Sequence, residues 1–112
     1  MVKEIISKKD FDKELQHAGL LVVDFFTTWC GPCKSIAPFL EQLSQKYADV
    51  SFIKVDIEKM RGEIPQCDGI SSIPTFHFYV AGKLMEEMKG ANPAAIEQKV
   101  NQYKVNMNSY LS

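Results

Sequence analysis

Cysteine is scarce in this chain. Three in 112 residues is a sparse, odd count that excludes a disulfide-stapled secreted scaffold. Long apolar runs are missing too. Leu20 to Val23, as long a run as any, breaks at Asp24 before Phe25 and Phe26, far short of the ~20 residues needed to span a bilayer. Met1 to Asp10 holds Lys3, Lys8 and Lys9 but no apolar stretch of signal-peptide length. An excess of one charge is equally absent. Thirteen Lys+Arg against fourteen Asp+Glu leave a formal charge of −1, whereas a nucleic-acid binder shows a clustered positive excess. Neither nucleic acid nor membrane is therefore an expected partner, a reducing, cytoplasmic location is the default, and so is a monomer.

What is present suits one globular domain. The chain is too short for two, yet at this length about two-thirds of the unfolded surface is buried on folding. Its apolar fraction of 46% and aromatic fraction of 11% are enough to fill a core. Repeats, low-complexity segments and Gly/Ser linkers are absent.

The local patterns predict alternating strands and helices. Val2 to Ile6 is β-prone, and Ser7 with Asp10 reads as an N-cap opening a helix with Phe11 and Leu15 on one face and Gly19 as its stop. Leu20 to Phe26 is apolar apart from Asp24, as in a central strand buried on both faces. Ile36, Phe39, Leu40, Leu43 and Tyr47 then mark one face of a helix that Pro38 should kink. Val50 to Ile57 reads as a strand, and Met60 to Gly69 as a short irregular helix. Thr75 to Val80 and Lys83 to Lys89 form strands joined by Ala81-Gly82. Asn92-Pro93 caps a last helix carrying Ile96, Val100 and Tyr103. The order β-α-β-α-β-α-β-β-α makes an α/β fold, with helices on both faces of a mixed sheet.

The chemistry concentrates at Trp29-Cys30-Gly31-Pro32-Cys33-Lys34, between a buried strand and a helix. Residues three apart on a helix lie about 5–6 Å apart, close enough for a disulfide. Cys30 at the N-terminal boundary meets the positive end of the helix dipole, which favours thiolate over thiol. Pro32 fixes φ in the first turn at no hydrogen-bonding cost. Cys33, one turn further in, should be more buried and less ionised. A structural zinc site would need two more ligands, and Cys67, His17 and His77 are all isolated, so a redox dithiol is the better reading. Asp24 should have its pKa raised by desolvation, suiting it to move a proton, unless it pairs structurally with Lys54.

The Trp29 to Lys34 segment resembles the active site of the thioredoxin family, and the likeness is co-linear from about Val2 to Tyr103. Asp24 and Phe25 match the strand that precedes the site. Ile73-Pro74-Thr75-Phe76 matches the segment in which the family places a cis-proline facing the dithiol. Gly82 and Gly90-Ala91 match the hairpin turn and the loop flanking the substrate groove. Phe26 stands where many members have a second tryptophan, and Thr27-Thr28 precede Trp29. The resemblance implies a thioredoxin fold over residues 1–112, with 104–112 as a helix extension or tail.

It also implies a protein disulfide reductase. Cys30 would attack as thiolate, Cys33 would resolve the mixed disulfide, and Asp24 would move the proton. Trp29, Gly31, Pro32, Ile73, Pro74, Gly90 and Ala91 would bind substrate. The chain would hold no cofactor itself. Electrons would come from NADPH through the FAD enzyme thioredoxin reductase and pass to targets such as peroxiredoxins or ribonucleotide reductase, in electron transport and cell redox homeostasis. Cys67, near where eukaryotic members often carry an extra cysteine, has two readings: a buried structural thiol, or a regulatory thiol if exposed with a lowered pKa. His77 is expected to be packed in its strand and His17 to lie on a helix surface. Gly31-Pro32 between the cysteines favours a reductase over an isomerase of the same fold. A binding module without turnover is the rival from another class.

Overall fold

The computed structural model describes the backbone of residues 1–111 and the side chains of residues 1–104. Five strands form one sheet: β1 (Lys3–Glu4), β2 (Leu20–Phe26), β3 (Ser51–Asp56), β4 (Thr75–Val80) and β5 (Lys83–Lys89), in the spatial order β1-β3-β2-β4-β5. β3 runs parallel to β1 and β2, while β4 is antiparallel to both β2 and β5. The expected mixed sheet is therefore present, with β2 at its centre. Four α-helices cover it: α1 (Lys8–Leu15), α2 (Gly31–Lys46), α3 (Ile57–Met60) and α4 (Pro93–Leu111).

The period of two along each strand divides the core into layers. Leu20 and Val22 of β2, with Phe76, Phe78 and Val80 of β4, face α2 and α4 and pack against Ile36, Leu40, Leu43, Ile96 and Val100. Leu21, Val23 and Phe25 face the opposite way with Ile53 and Val55 of β3, and meet Phe11 of α1 and Met60 of α3. Asp24 lies on the same side of β2 as Leu20 and Val22, the side covered by α2. That parity places the one acid of the strand beneath the helix that carries the second active-site cysteine.

Several boundaries differ from the sequence expectation, each for a local reason. α1 ends at Leu15, capped by Ser7 through its side chain and closed at Gln16, so Gly19 is not its stop and His17 sits in the following turn, half-buried. The segment Met60 to Gly69 is not one helix. α3 stops at Met60, Gly62 takes a φ of +88°, and a separate 3-10 helix spans Pro65–Gly69. Pro38 lies inside α2, where the sequence pattern put it, and the helix continues to Lys46 with Ile36, Leu40 and Leu43 buried on one face. The segment after Tyr103 extends the last helix through Leu111.

Candidate active site

Cys30 is the N-cap of α2, with an extended backbone, and its sulfur accepts the backbone N–H of Cys33 at 3.2 Å. Gly31 and Pro32 occupy the first two helical positions, where no intrahelical N–H bond is required. The helix that follows is 16 residues long, so the free N–H groups and dipole of a full helix act on the Cys30 sulfur. Cys30 and Cys33 are joined in a disulfide with their Cα atoms 5.3 Å apart. In this oxidised form both cysteines are 5% exposed. Cys33 is thus not the more buried of the two, because the bond holds both sulfurs in the same first turn. Only their position on the helix distinguishes them.

Asp24 lies on the α2 side of the sheet and lines a cavity with Lys34 and Ala37 of that helix. It is buried, its Oδ1 has no hydrogen-bond partner, and burial pushes its pKa up from 3.8 to about 7 against a smaller opposing pull from Lys54. Lys54 is its cross-strand neighbour in the β2–β3 register. Its ammonium nevertheless sits 5.6 Å from the centre of the Phe26 ring, and no Asp24–Lys54 ion pair forms within 4 Å. The structural ion pair weighed for Asp24 is not made. That cavity, of about 320 Å³ and lined also by Pro38, Glu41 and Lys54 among others, opens beside the carboxylate, so the buried acid has a route for water.

The other flank of the dithiol is built by β4 and its approach. Phe25 pairs with Thr75 across β2 and β4, which carries Ile73 and Pro74 past the end of β2 towards Thr27 and the active-site turn. The Ile73–Pro74 peptide bond is cis. The Gly90 N–H donates to the Pro74 carbonyl at 2.9 Å, and Gly90 takes a φ of +96° to do so, a conformation that favours glycine. Ala91 packs beside it against the α2–α4 core. Trp29, immediately before Cys30, is 66% exposed. A groove of about 180 Å³ joins Trp29 to Ile73 by way of Thr27, Glu58, Arg61 and Ser71.

Comparison with known proteins places this fold and its cysteine pair in a family. The family model described as Thioredoxin matches residues 2–102. The chain belongs to the thioredoxin family. It is 45% identical over 100 residues to Thioredoxin-1 of Schizosaccharomyces pombe, covering 89% of this chain and 96% of that one. Among solved structures, the oxidised thioredoxin of Plasmodium falciparum superposes with a TM-score of 0.83 at 40% identity, covering 93% of this chain and 99% of that one. A chain from a structure addressing the thiol resolving mechanism in yeast mitochondrial 1-Cys peroxiredoxin via glutathione/thioredoxin systems aligns with a TM-score of 0.78 at 33% identity, covering 90% and 94%. This chain is accordingly a redox-active thiol–disulfide oxidoreductase, and protein disulfide reduction is its function.

The structure brings together Asp24, Trp29, Cys30, Gly31, Pro32, Cys33, Ile73, Pro74, Gly90 and Ala91 at one end of the sheet. It leaves Cys67 out. That thiol is fully buried in the 3-10 helix, in the core on the α1 side of the sheet, and burial pushes its pKa up to about 11. The regulatory reading required exposure and a lowered pKa, and neither condition is met. His77 is packed as expected, its Nε2 2.8 Å from Glu87 Oε2 and its ring edge-on to Phe25. Two residues of the site escaped the sequence reading. Glu58 accepts the Trp29 indole N–H at 3.0 Å, and Arg61 lines the same groove. Both follow β3, far from the dithiol in sequence, and no local pattern marks either.

Proposed function

We propose that Cys30 is the attacking thiolate and Cys33 the resolving thiol. In the reduced protein the Cys30 sulfur displaces one sulfur of a target disulfide, forming a mixed disulfide and releasing a target thiolate. Cys33, its proton taken by Asp24 through water in the adjoining cavity, attacks the Cys30 sulfur. The second target sulfur leaves as a thiol, taking from Asp24 the proton that came off Cys33, and two electrons have passed from the dithiol to the target. A carboxyl with a pKa of about 7 is matched to that exchange at neutral pH. The observation that carries the assignment is the placing of Cys30, and not Cys33, at the helix N-cap.

Trp29, Gly31, Pro32, Ile73, Pro74, Gly90 and Ala91 form the surface on which a target segment lies in this reading, with the Ile73 backbone as its hydrogen-bonding edge. A thioredoxin reductase carrying FAD returns electrons from NADPH to the disulfide, giving the chain its part in electron transport and redox homeostasis. Targets are disulfide-bearing proteins such as peroxiredoxins or ribonucleotide reductase; the likeness to a chain studied with a peroxiredoxin supports the first. The whole chain acts as one domain, as a monomer, in the cytoplasm. The near-balanced charge supports a role away from nucleic acid. Among the described residues, no helix is long and apolar enough to cross a membrane.

Reduction of insulin disulfides tests this reading, with NADPH and a thioredoxin reductase as the electron source and the native chain compared with Cys30→Ser. Turnover by the native chain that vanishes in the variant is the expected result. Silence with that reductase and also with dithiothreitol, from folded protein with free thiols, would favour a binding module instead.

A further inference from the structure

Pro38 sits in the interior of the helix that carries the dithiol. A proline has no N–H to give, so the carbonyl four residues earlier loses its intrahelical donor. In α2 that carbonyl belongs to Lys34, the residue after Cys33. Lys34, Ala37, Pro38 and Glu41 follow the spacing that makes one face of a helix, and all four line the cavity beside Asp24. A helical carbonyl points along the axis towards the nitrogen four residues on. The Lys34 carbonyl therefore lies on the cavity face, between two residues that both line it.

Few other acceptors face this space. The ammonium groups of Lys34 and Lys54 only donate, and Glu41 already takes the Val2 N–H on its Oε1 at 3.1 Å. A water that moves a proton from Cys33 to Asp24 has two O–H groups. One points at the Asp24 carboxylate, and the other needs an acceptor of its own. We propose that Pro38 is a positioning residue for the resolving step: by withholding an N–H it leaves the Lys34 carbonyl free to hold that water. The inference rests on the reading of Cys33 as resolving thiol and Asp24 as its base, and adds the group that orients their water. Pro38 touches no reacting atom. As the Cys33 sulfur bonds to Cys30, the water accepts the Cys33 proton and gives one to Asp24, while its O–H on the Lys34 carbonyl stays intact. The bond from Cys30 to the target sulfur breaks, and Asp24 returns the proton to that sulfur.

The test uses the full chain, reduced beforehand, mixed rapidly with an excess of a peptide disulfide at pH 7 and quenched in acid, so that intact mass reports the mixed disulfide over time. The native chain is compared with Pro38→Ala, which supplies the missing N–H, and with Pro38→Val, which supplies it and keeps an apolar side chain of similar size. The mixed disulfide should last about three to ten times longer in both variants, the worth of one hydrogen bond. Adduct formation in Cys33→Ser should keep its rate when Pro38→Ala is added. In Asp24→Asn, where the water has no base to serve, adding Pro38→Ala should change the lifetime by less than about twofold. A urea midpoint of Pro38→Ala at or above the native value separates the slowing from loss of fold. A native lifetime in both variants, or a longer one in Pro38→Ala alone, overturns the assignment. So does equal slowing of adduct formation, or slowing that persists in full beside Asp24→Asn. The adduct on Cys30 in Cys33→Ser alone shows separately whether Cys30 is the nucleophile.

Discussion

Replacing Asp24 by asparagine keeps the shape of the side chain and removes its ability to ionise. The carboxyl titrates near 3.8 when exposed and at about 7 in the folded chain, because burial disfavours its charged form. Between those values the folded protein holds a proton that the unfolded chain has released. Stability therefore falls as pH rises through this window, and the loss is complete above about pH 7. At 1.36 kcal/mol per pH unit the difference amounts to roughly 4 kcal/mol, a large fraction of a small domain's stability.

Urea unfolding of the oxidised native chain and of Asp24→Asn, at pH 4 and at pH 8.5, isolates this contribution, since all other titrating groups cancel in the comparison. The variant should gain about 3–4 kcal/mol on the native chain between the two pH values. A gap that does not change with pH would refute the reasoning. A gap that moves the other way would mean that Lys54 stabilises the carboxylate more than burial penalises it.

Three further outcomes follow from the geometry. Cys67, buried with its pKa pushed up to about 11, should resist iodoacetamide at pH 8 in the oxidised native chain and react fully in denaturant; fast labelling of the native chain would show that its cover opens. In the β4–β5 turn, Ala81 and Gly82 have φ of 52° and 79°, and a Cβ on Gly82 would lie 3.1 Å from the Leu15 carbonyl oxygen. Gly82→Ala should cost about 1–2 kcal/mol in thermal or urea unfolding while Ala81→Asn gains up to about 1 kcal/mol, opposite signs at adjacent residues. Phe78→Ala, at a fully buried site between β4 and α4, should destabilise by about 3–5 kcal/mol.

The parts of this molecule legible in its sequence are those with short-range causes. The continuous apolar run of β2, the one-sided pattern of α2 and the Cys30-to-Cys33 spacing each have a local cause, and these elements appear where expected. Asp24 was legible because a lone acid in an apolar strand has few tolerable environments. The family likeness added the cis bond at Pro74, which composition and spacing do not reveal. Contacts that close over long loops were not legible. The Trp29–Glu58 hydrogen bond joins residues 29 apart, and the break between α3 and the 3-10 helix depends on the positive φ of Gly62. The equal burial of Cys30 and Cys33 follows from their disulfide, which holds both sulfurs in one turn.

The most direct test of the central claim compares the two active-site thiols singly. Cys33→Ser and Cys30→Ser are reduced, mixed with an excess of a peptide disulfide at pH 7, and followed by intact mass, with the adduct located by peptide mapping. Because only Cys30 caps the helix, it should form its mixed disulfide faster in Cys33→Ser than Cys33 does in Cys30→Ser, by on the order of tenfold. Equal rates for the two variants, or an adduct on Cys67, would contradict the assignment of Cys30 as the nucleophile.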